Sequence, residues 1–503
     1  MEGPVFDVLV IGGGINGVGV AADAAGRGLS VCLVEMGDLA SGTSQASSKL
    51  IHGGLRYLEH YEFRLVREAL AEREVMLTRA PHIVWPLRFV MPQTPGTRSR
   101  LKLRAGLFLY DHLAKRRRIP RSRAVKLADD PAGEVLRSDV RDAFSYWDCW
   151  VDDSRLVILN ARLAANRGAV IRTRTRVTAL ERGEDRWTAT LDAKGERETC
   201  RARVVVNAAG PWADTIGALA RANALNPAAK LRLVKGSHIV VRRIEGADDA
   251  FLFQNTDGRV VFVLPFEDAF TLIGTTDVPA TGSPSDATCS PEEEAYLLAA
   301  ANRYLASPLV ATDVVWQFAG VRPLQADETE ANPSALSRDY HLELSGHRHG
   351  DALLTIIGGK VTTYRRLAEA VLHRLERLFP GLAPAWTATG SLPGGEIPNA
   401  DFDIYFEGLA RLYAWLPEPV LHALARRHGS LTRDVIGDAR RLEDMGAIFA
   451  GRLTEREVRY LADNEWAMTP EDVLWRRTKV GLHLMPNHER DAAGAAIAAL
   501  LVR

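Results

Sequence analysis

The chain alternates short apolar runs with small-residue and amphipathic stretches, and this alternation predicts most of its elements. Residues 5–11, VFDVLVI, form a short β-branched run. GGGINGVGVAADAAGRG follows, then a second apolar run, LSVCLVE, which closes at Glu35. Strand, glycine turn, small-residue helix and strand within about 30 residues make a βαβ unit. Residues 62–79 contain strong helix formers and neither Gly nor Pro, and predict a helix. RVVVNAAG at 203–210 reads as a buried strand ending in small residues. Between 234 and 278 the runs SHIVV, RVVFVLPF and FTLIGTTDV, separated by turn residues, predict an antiparallel sheet. LLTIIGG at 353–359 predicts a strand that leads into a helix near Thr362. After LPGG at 392–395, Leu, Ala, Arg and Glu dominate, which predicts a separate C-terminal helical domain. There is no internal repeat.

Length and charge narrow the class. With 503 residues the chain exceeds one ordinary core and predicts two or three domains. A formal net charge of zero gives no field directed at nucleic acid. Cys32, Cys149, Cys200 and Cys289 lie far apart, without a C-x-x-C, so neither a zinc site nor a disulfide framework is expected. The histidines show no ligand spacing, and no metal is expected. No run approaches a membrane span, and the N-terminal apolar run reads as a strand, not a signal peptide.

Several motifs carry chemistry. In Gly12-x-Gly14-x-x-Gly17, Gly12 allows the tight turn, Gly14 lets backbone approach a pyrophosphate, and Gly17 lets helix pack on strand. Glu35 stands where a carboxylate accepts ribose hydroxyls; an acid there disfavours NADP, but the motif serves NAD and FAD alike. The loop TSQASSKLIHGGLRYL, 43–58, offers Ser47, Ser48 and the Gly53–Gly54 backbone along a flat cofactor, with Arg56 and Tyr57 facing whatever lies over the ring. In VVVNAAGPWAD, 204–214, small residues Ala209 and Gly210 end a strand and admit a cofactor. Gly358–Gly359 before Lys360-Val-Thr362-Thr363 makes a second glycine-led helix N-terminus, suited to an anionic locus. Arg322 follows a strand-like run and precedes a proline. On pattern alone a surface charge is the less favoured reading of Arg322 and of Lys360, whereas His238 in KGSHIVV reads more readily as a satisfied core or surface group than as a catalyst. Between Arg88 and Lys126 the only acidic residue is Asp111. The stretch from Arg98 to Arg118, basic around Leu107, Phe108, Leu109 and Tyr110, reads as a membrane-surface element or as a solvated face around a core helix.

Taken together, VIGGGINGVGVAADAAGRGLSV, SSKLIHGGLRYLEHYEFRLVREALAEREVM, DCWVDDSRLV, NAAGPWAD, KGSHIVV, IGTTDV, GVRPL, GGKVTTYRRLAE and LWRRTK resemble the aerobic, FAD-dependent glycerol-3-phosphate dehydrogenases of bacteria over nearly the whole chain. The resemblance implies an α/β FAD-binding domain of the Rossmann-like, D-amino-acid-oxidase-like type, an inserted antiparallel-sheet substrate domain and a C-terminal α-helical cap. The expected boundaries are 1–80 with 150–230 and 315–388 for FAD, 81–149 with 231–314 for substrate and membrane, and 389–503 for the cap. It implies non-covalent FAD and oxidation of glycerol 3-phosphate to dihydroxyacetone phosphate. It further implies a membrane quinone as acceptor, a homodimer, and a cytoplasmic protein peripheral on the inner face of the membrane. His238, Arg322 and Lys360 are then expected in catalysis, and Arg56, Tyr57, Arg322, Lys360 and Thr362 at the substrate. Gly12, Gly14, Gly17, Glu35, Ser47, Ser48, Gly53, Gly54, Ala209, Gly210, Gly359, Lys360 and Thr362 are expected at the cofactor. No D-x-[DN]-x-[DN]-G-x5-E loop is present, so calcium control is not expected. The competing readings are an oxidase that delivers electrons to oxygen, an amine or hydroxy-acid oxidase of the same superfamily, and a flavin-binding regulator without turnover.

Overall fold

The computed structural model describes residues 4–221, 231–325, 339–484 and 487–502. Residues 222–230 and 326–338, expected within or next to the FAD domain, lie outside the described residues.

Five of the eight strands of the first sheet run parallel, in the spatial order Leu353–Ile357, Glu196–Asn207, Val5–Ile11, Val31–Val34 and Val170–Arg172. His341–Ser345 adds an antiparallel edge. Helices Ile15–Gly26, Asp153–Asn166 and Tyr364–Leu375 pack on one another beside the sheet. The small residues of the first helix make this possible. A Cβ on Gly17 would lie 1.9 Å from the Gly12 carbonyl oxygen, and one on Gly19 would lie 2.8 Å from the Tyr364 ring. The register decides where the site forms. Ile11 pairs with both Val34 and Asn207, and Asn207 pairs with Thr355. The turns at Gly12, Ala208–Gly210 and Gly358–Gly359 therefore gather at the carboxyl edge of the sheet, where ligands bind in this architecture.

The second sheet is antiparallel except between Ala250–Gln254 and Val84–Gln93. Its inner face buries Ile239, Val241, Phe251, Phe253, Val261, Val263 and Ile273. Period-two alternation turns His238, Phe262 and Gln254 to the other face, which lines the cavity described below. Strand Val314–Gln325, expected in the FAD domain, instead pairs with Leu231–Arg242 along its length. Its aromatic and β-branched sequence packs against a pleated neighbour, and nothing local in it reports a partner some 80 residues earlier in the chain. Strand Asp142–Val151 likewise runs two residues past the expected boundary at 149.

The C-terminal part is helical, with Phe402–Leu412, Glu418–His428, Glu455–Glu465 and Asn487–Leu501 and one small hairpin. Buried charge ties it to the rest. Asp38 accepts hydrogen bonds from Arg476 Nε at 2.6 Å and from Arg477 Nη1 and Nη2 at 2.6 and 2.9 Å. Arg155 pairs with Glu465, both fully buried. Among the described residues no helix is long and apolar enough to cross a membrane.

Candidate active site

A cavity of about 1360 Å³ runs from the carboxyl edge of the parallel sheet to the open face of the antiparallel one. On the parallel-sheet side its wall includes Gly12, Gly14, Glu35, Ser47, Ser48, Ala209, Gly210 and Gly359. Gly12 has φ +116°, a backbone region that favours glycine, and a Cβ there would meet the Ala208 carbonyl oxygen at 2.4 Å. Gly14 opens the first helix at the cavity wall, where the Ile15 N–H donates to Ser44 Oγ at 3.0 Å. Glu35 accepts N–H bonds from Gly13 at 2.6 Å and Gly37 at 2.7 Å. Burial pushes its carboxyl up, against the pull of the Gly37 and Gly13 N–H groups.

The lining also includes Arg56, Tyr57, His238, Phe318, Arg322, Lys360 and Thr362. His238 is 2% exposed and stacks on Phe318 at 4.8 Å and 11°. Its Nε2 lies 2.9 Å from Ser48 Oγ, and its Nδ1 has no hydrogen-bond partner among the described residues. Burial, then the Arg322 and Lys49 cations, push the imidazole well below its ordinary value, so it is neutral. Gly274 opposite it is required for this fit, since a Cβ there would fall 2.0 Å from His238 Cδ2. Arg322 does not stand alone. Its guanidinium pairs with Asp277 and donates to Thr275 Oγ1 at 3.1 Å and the Thr276 carbonyl at 3.2 Å. Lys360 Nζ sits 3.6 Å over the Tyr57 ring. Arg56 makes no ion pair among the described residues.

The chain matches the FAD-dependent oxidoreductase family over residues 7–365 and the C-terminal domain of alpha-glycerophosphate oxidase over 385–501. A D-erythritol 1-phosphate dehydrogenase of Brucella abortus is 50% identical over 96% of both chains. A glycerol-3-phosphate dehydrogenase of Pseudomonas aeruginosa is 49% identical over 96% of this chain and 94% of that one. The chain belongs to the FAD-dependent glycerol-3-phosphate dehydrogenase family. A solved glycerol-3-phosphate dehydrogenase of Bacillus halodurans, complexed with FAD, superposes with a TM-score of 0.78 at 26% identity, covering all of this chain and 92% of that one. The protein is thus an oxidoreductase that uses FAD. Its residues fit that cofactor. Side chains are missing where backbone must approach phosphates, the first helix begins at the cavity wall, and an acid stands at the second strand's end.

The flavoenzyme departs from the sequence expectations at several residues. Gly53 does not line the cavity. Its N–H donates to Tyr110 Oη at 2.9 Å, and a Cβ there would meet Leu70 at 2.5 Å, so it serves loop packing. Gly17 also lies off the cavity, beneath the glycine turn. Ser47 turns its hydroxyl to Asp153 at 2.7 Å. The Thr362 hydroxyl is held between the N–H and the carbonyl of His52, at 3.2 and 3.3 Å. Residues not expected at the site include Asp277, Phe318 and Asn16, whose Nδ2 donates to the Gly358 carbonyl at 3.1 Å and joins the two glycine turns. Asp277 was within reach of sequence, since it lies in the IGTTDV motif.

At the cavity mouth stands the helix Arg100–His112. The expected apolar core is divided: Leu107 and Tyr110 are buried, whereas Phe108 and Leu109 are 62% and 42% exposed, joined by Leu101. Many of its cations are already engaged. Arg98 pairs with Glu59, Arg116 with Asp111, and Arg118 donates to the carbonyls of Asn399 and Ala400. Arg104, Lys115 and Arg117 make no ion pair among the described residues and face solvent. Tyr61 and Phe63, also exposed, line the same mouth.

Proposed function

We propose that this enzyme oxidises sn-glycerol 3-phosphate at C2 to dihydroxyacetone phosphate and passes the electrons to a membrane quinone. The observation that carries the reading is that Arg56, Arg322, Lys360 and His238 all line the cavity that the dinucleotide turn also lines. Gly12, Gly14 and Glu35 would hold the adenosine diphosphate half of FAD, and Ser48, Gly54, Ala209, Gly210 and Gly359, which line the same cavity, would receive the rest of it. Bound FAD supplies the acceptor for the hydride that leaves C2.

Arg56 anchors the substrate phosphate, because its charge is not already committed to a carboxylate. Arg322, pre-set by Asp277 and Thr275, adds a second fork from another segment. Neutral His238 takes the hydroxyl proton as the C2 carbonyl forms, with Ser48 fixing its ring. Lys360, held over Tyr57, stabilises negative charge on the C2 oxygen. The exposed apolar residues and uncommitted cations at the mouth support docking on the anionic inner face of the cytoplasmic membrane.

A second reading is favoured by the 50% identity to an enzyme named for D-erythritol 1-phosphate. That substrate adds one hydroxymethine carbon, and the cavity is large enough to take it. Anaerobic mixing of yellow holoenzyme with each phosphate tests both readings. Rapid bleaching by glycerol 3-phosphate, with the larger kcat/KM to a soluble dye, supports the first. A kcat/KM at least tenfold higher for erythritol 1-phosphate replaces the substrate, and bleaching by neither removes both. Stoichiometric peroxide in the absence of quinone would identify an oxidase instead.

A further inference from the structure

Behind His238 lies an ion pair to which the proposed chemistry gives no task. Lys49 and Asp153 are 1% and 0% exposed at their side chains, and Lys49 Nζ meets both carboxylate oxygens, at 3.0 and 2.9 Å. Taking two charges out of water is costly, and well-packed apolar residues are often as stable in their place. A buried pair next to a reaction site therefore calls for a reason beyond stability. Two physical links run from it to the imidazole. Asp153 Oδ2 accepts from Ser47 Oγ at 2.7 Å and Ser47 N–H at 3.3 Å, and the following residue, Ser48, bonds His238 Nε2 at 2.9 Å. Lys49 Nζ lies 5.2 Å from the centroid of Phe318, the ring on which His238 stacks.

We propose that the Lys49–Asp153 pair is the positioning device for His238, acting through Ser48 on one edge of the imidazole and through Phe318 on its face. This rests on the reading of His238 as proton acceptor. Asp153 anchors the loop that presents Ser48, and Lys49 supplies a fixed cation that disfavours imidazolium before substrate arrives. The other charges around the ring are Arg322, paired with Asp277, and, beyond Lys49, Lys479 against Asp152. Burial is the largest cause of the neutral imidazole, Arg322 the next and Lys49 the third.

The two charges act on the ring with opposite sign, and this supplies the test. Substrate-driven bleaching of holoenzyme is followed anaerobically against pH, with FAD content and KM recorded in parallel. The rate rises with pH as the base loses its proton. Lys49→Met removes a cation and should move that rise to higher pH by about one unit. Asp153→Asn removes an anion and should move it to lower pH, while Lys49→Arg should leave it near wild type. Shifts in the same direction, or lower rates with no shift, mean that the pair is only structural and overturn the proposal. Should a single variant fail to fold, the charge-free Lys49→Met/Asp153→Leu double variant leaves no buried unpaired charge and decides the matter. It should retain FAD and move the rise to higher pH, because the Lys49 cation is the member of the pair that acts more strongly on the imidazole; an unmoved rise there overturns the proposal. His238→Asn separates the two claims. Wild-type turnover in that variant removes the base assignment and this inference with it, whereas an inactive His238→Asn beside unshifted Lys49 and Asp153 variants removes this inference alone.

Discussion

Gly236→Ala tests the placement of Arg322 without touching its charge. Gly236 lies on the strand that carries His238, and a Cβ there would come 2.0 Å from Arg322 Nη2, 2.9 Å from its Cζ and 2.7 Å from Thr275 Oγ1. The nearest obstacles are the tips of side chains, so the strand stays and the guanidinium moves. Its bonds to Thr275 and Thr276, at 3.1 and 3.2 Å, are lost or redrawn. Hydrogen bonds to a charged group are each worth on the order of 1.5–3 kcal/mol. If the displaced fork loses one such bond to the substrate phosphate, kcat/KM falls about 10- to 100-fold, at 1.4 kcal/mol per tenfold. FAD content should stay at wild type, because Gly236 does not line the cavity. The assay is dye-coupled turnover of purified holoenzyme over a range of glycerol 3-phosphate, with flavin absorbance and Tm beside it. Arg322→Lys should show a loss of similar size, and the double variant should lose less than the sum, since both changes act on one guanidinium. Wild-type kcat/KM in Gly236→Ala and in Arg322→Lys would refute the assignment of Arg322 to the substrate.

Glu35→Ala removes the acceptor of two backbone N–H groups and of the ribose hydroxyls, so gel-filtered protein should lose FAD while refilled enzyme keeps its KM for substrate; undiminished flavin absorbance counts against the assignment. Glu465→Gln leaves Arg155 buried against a neutral partner, and should cost about 3–5 kcal/mol, read as a lower Tm. Burial pushes the Glu465 carboxyl up, but Arg155 outweighs it and holds it at about 2, below its unfolded value. Its stabilisation is therefore present above the ordinary carboxylate range and lost as pH falls toward 2, a component of acid unfolding that Glu465→Gln should lack. Replacing Leu101, Phe108 and Leu109 with Ser, together with Lys115 and Arg117, should reduce sedimentation with anionic liposomes and slow quinone reduction, with dye-linked turnover retained. Unchanged sedimentation at low and high salt would remove this helix as the anchor.

What the sequence made legible follows how local each signal is. The glycine turn at 12–17 was readable because its backbone demands are met by neighbouring residues, and Glu35 because a βαβ unit fixes its distance along the chain. Arg322 was identified but not its state, since its counter-ion Asp277 lies 45 residues earlier and reaches it only through sheet pairing. The same pairing withdrew strand Val314–Gln325 from the domain that its position in the chain suggested. Gly53 looked like its neighbour Gly54, yet the side chains of Leu70 and Tyr110 from elsewhere in the chain decide that it faces inward. The basic run from Arg98 to Arg118 read as uncompensated because its partners, Glu59 and the carbonyls of Asn399 and Ala400, fall outside any local window. Lys49 and Asp153 sat in plain view within motifs, but a buried pair between residues 104 apart has no periodicity to betray it.

The Asp38 clamp sets an order of events during synthesis. Asp38 follows Glu35 closely and leaves the ribosome early, whereas the arginines that neutralise it, Arg476 and Arg477, arrive 438 and 439 residues later. Until then a carboxylate destined for burial must stay hydrated, and the wall beside the ribose acid stays open to water. Arg476 itself lines the cavity, so a segment from the C-terminal domain completes the chamber that the first turn began. Cofactor capture is then expected late in elongation. A chain ended before Arg476 should for this reason fail to retain FAD after gel filtration even though its complete parallel sheet is present; a truncated protein that stays yellow would show that the turn closes without its distant arginines.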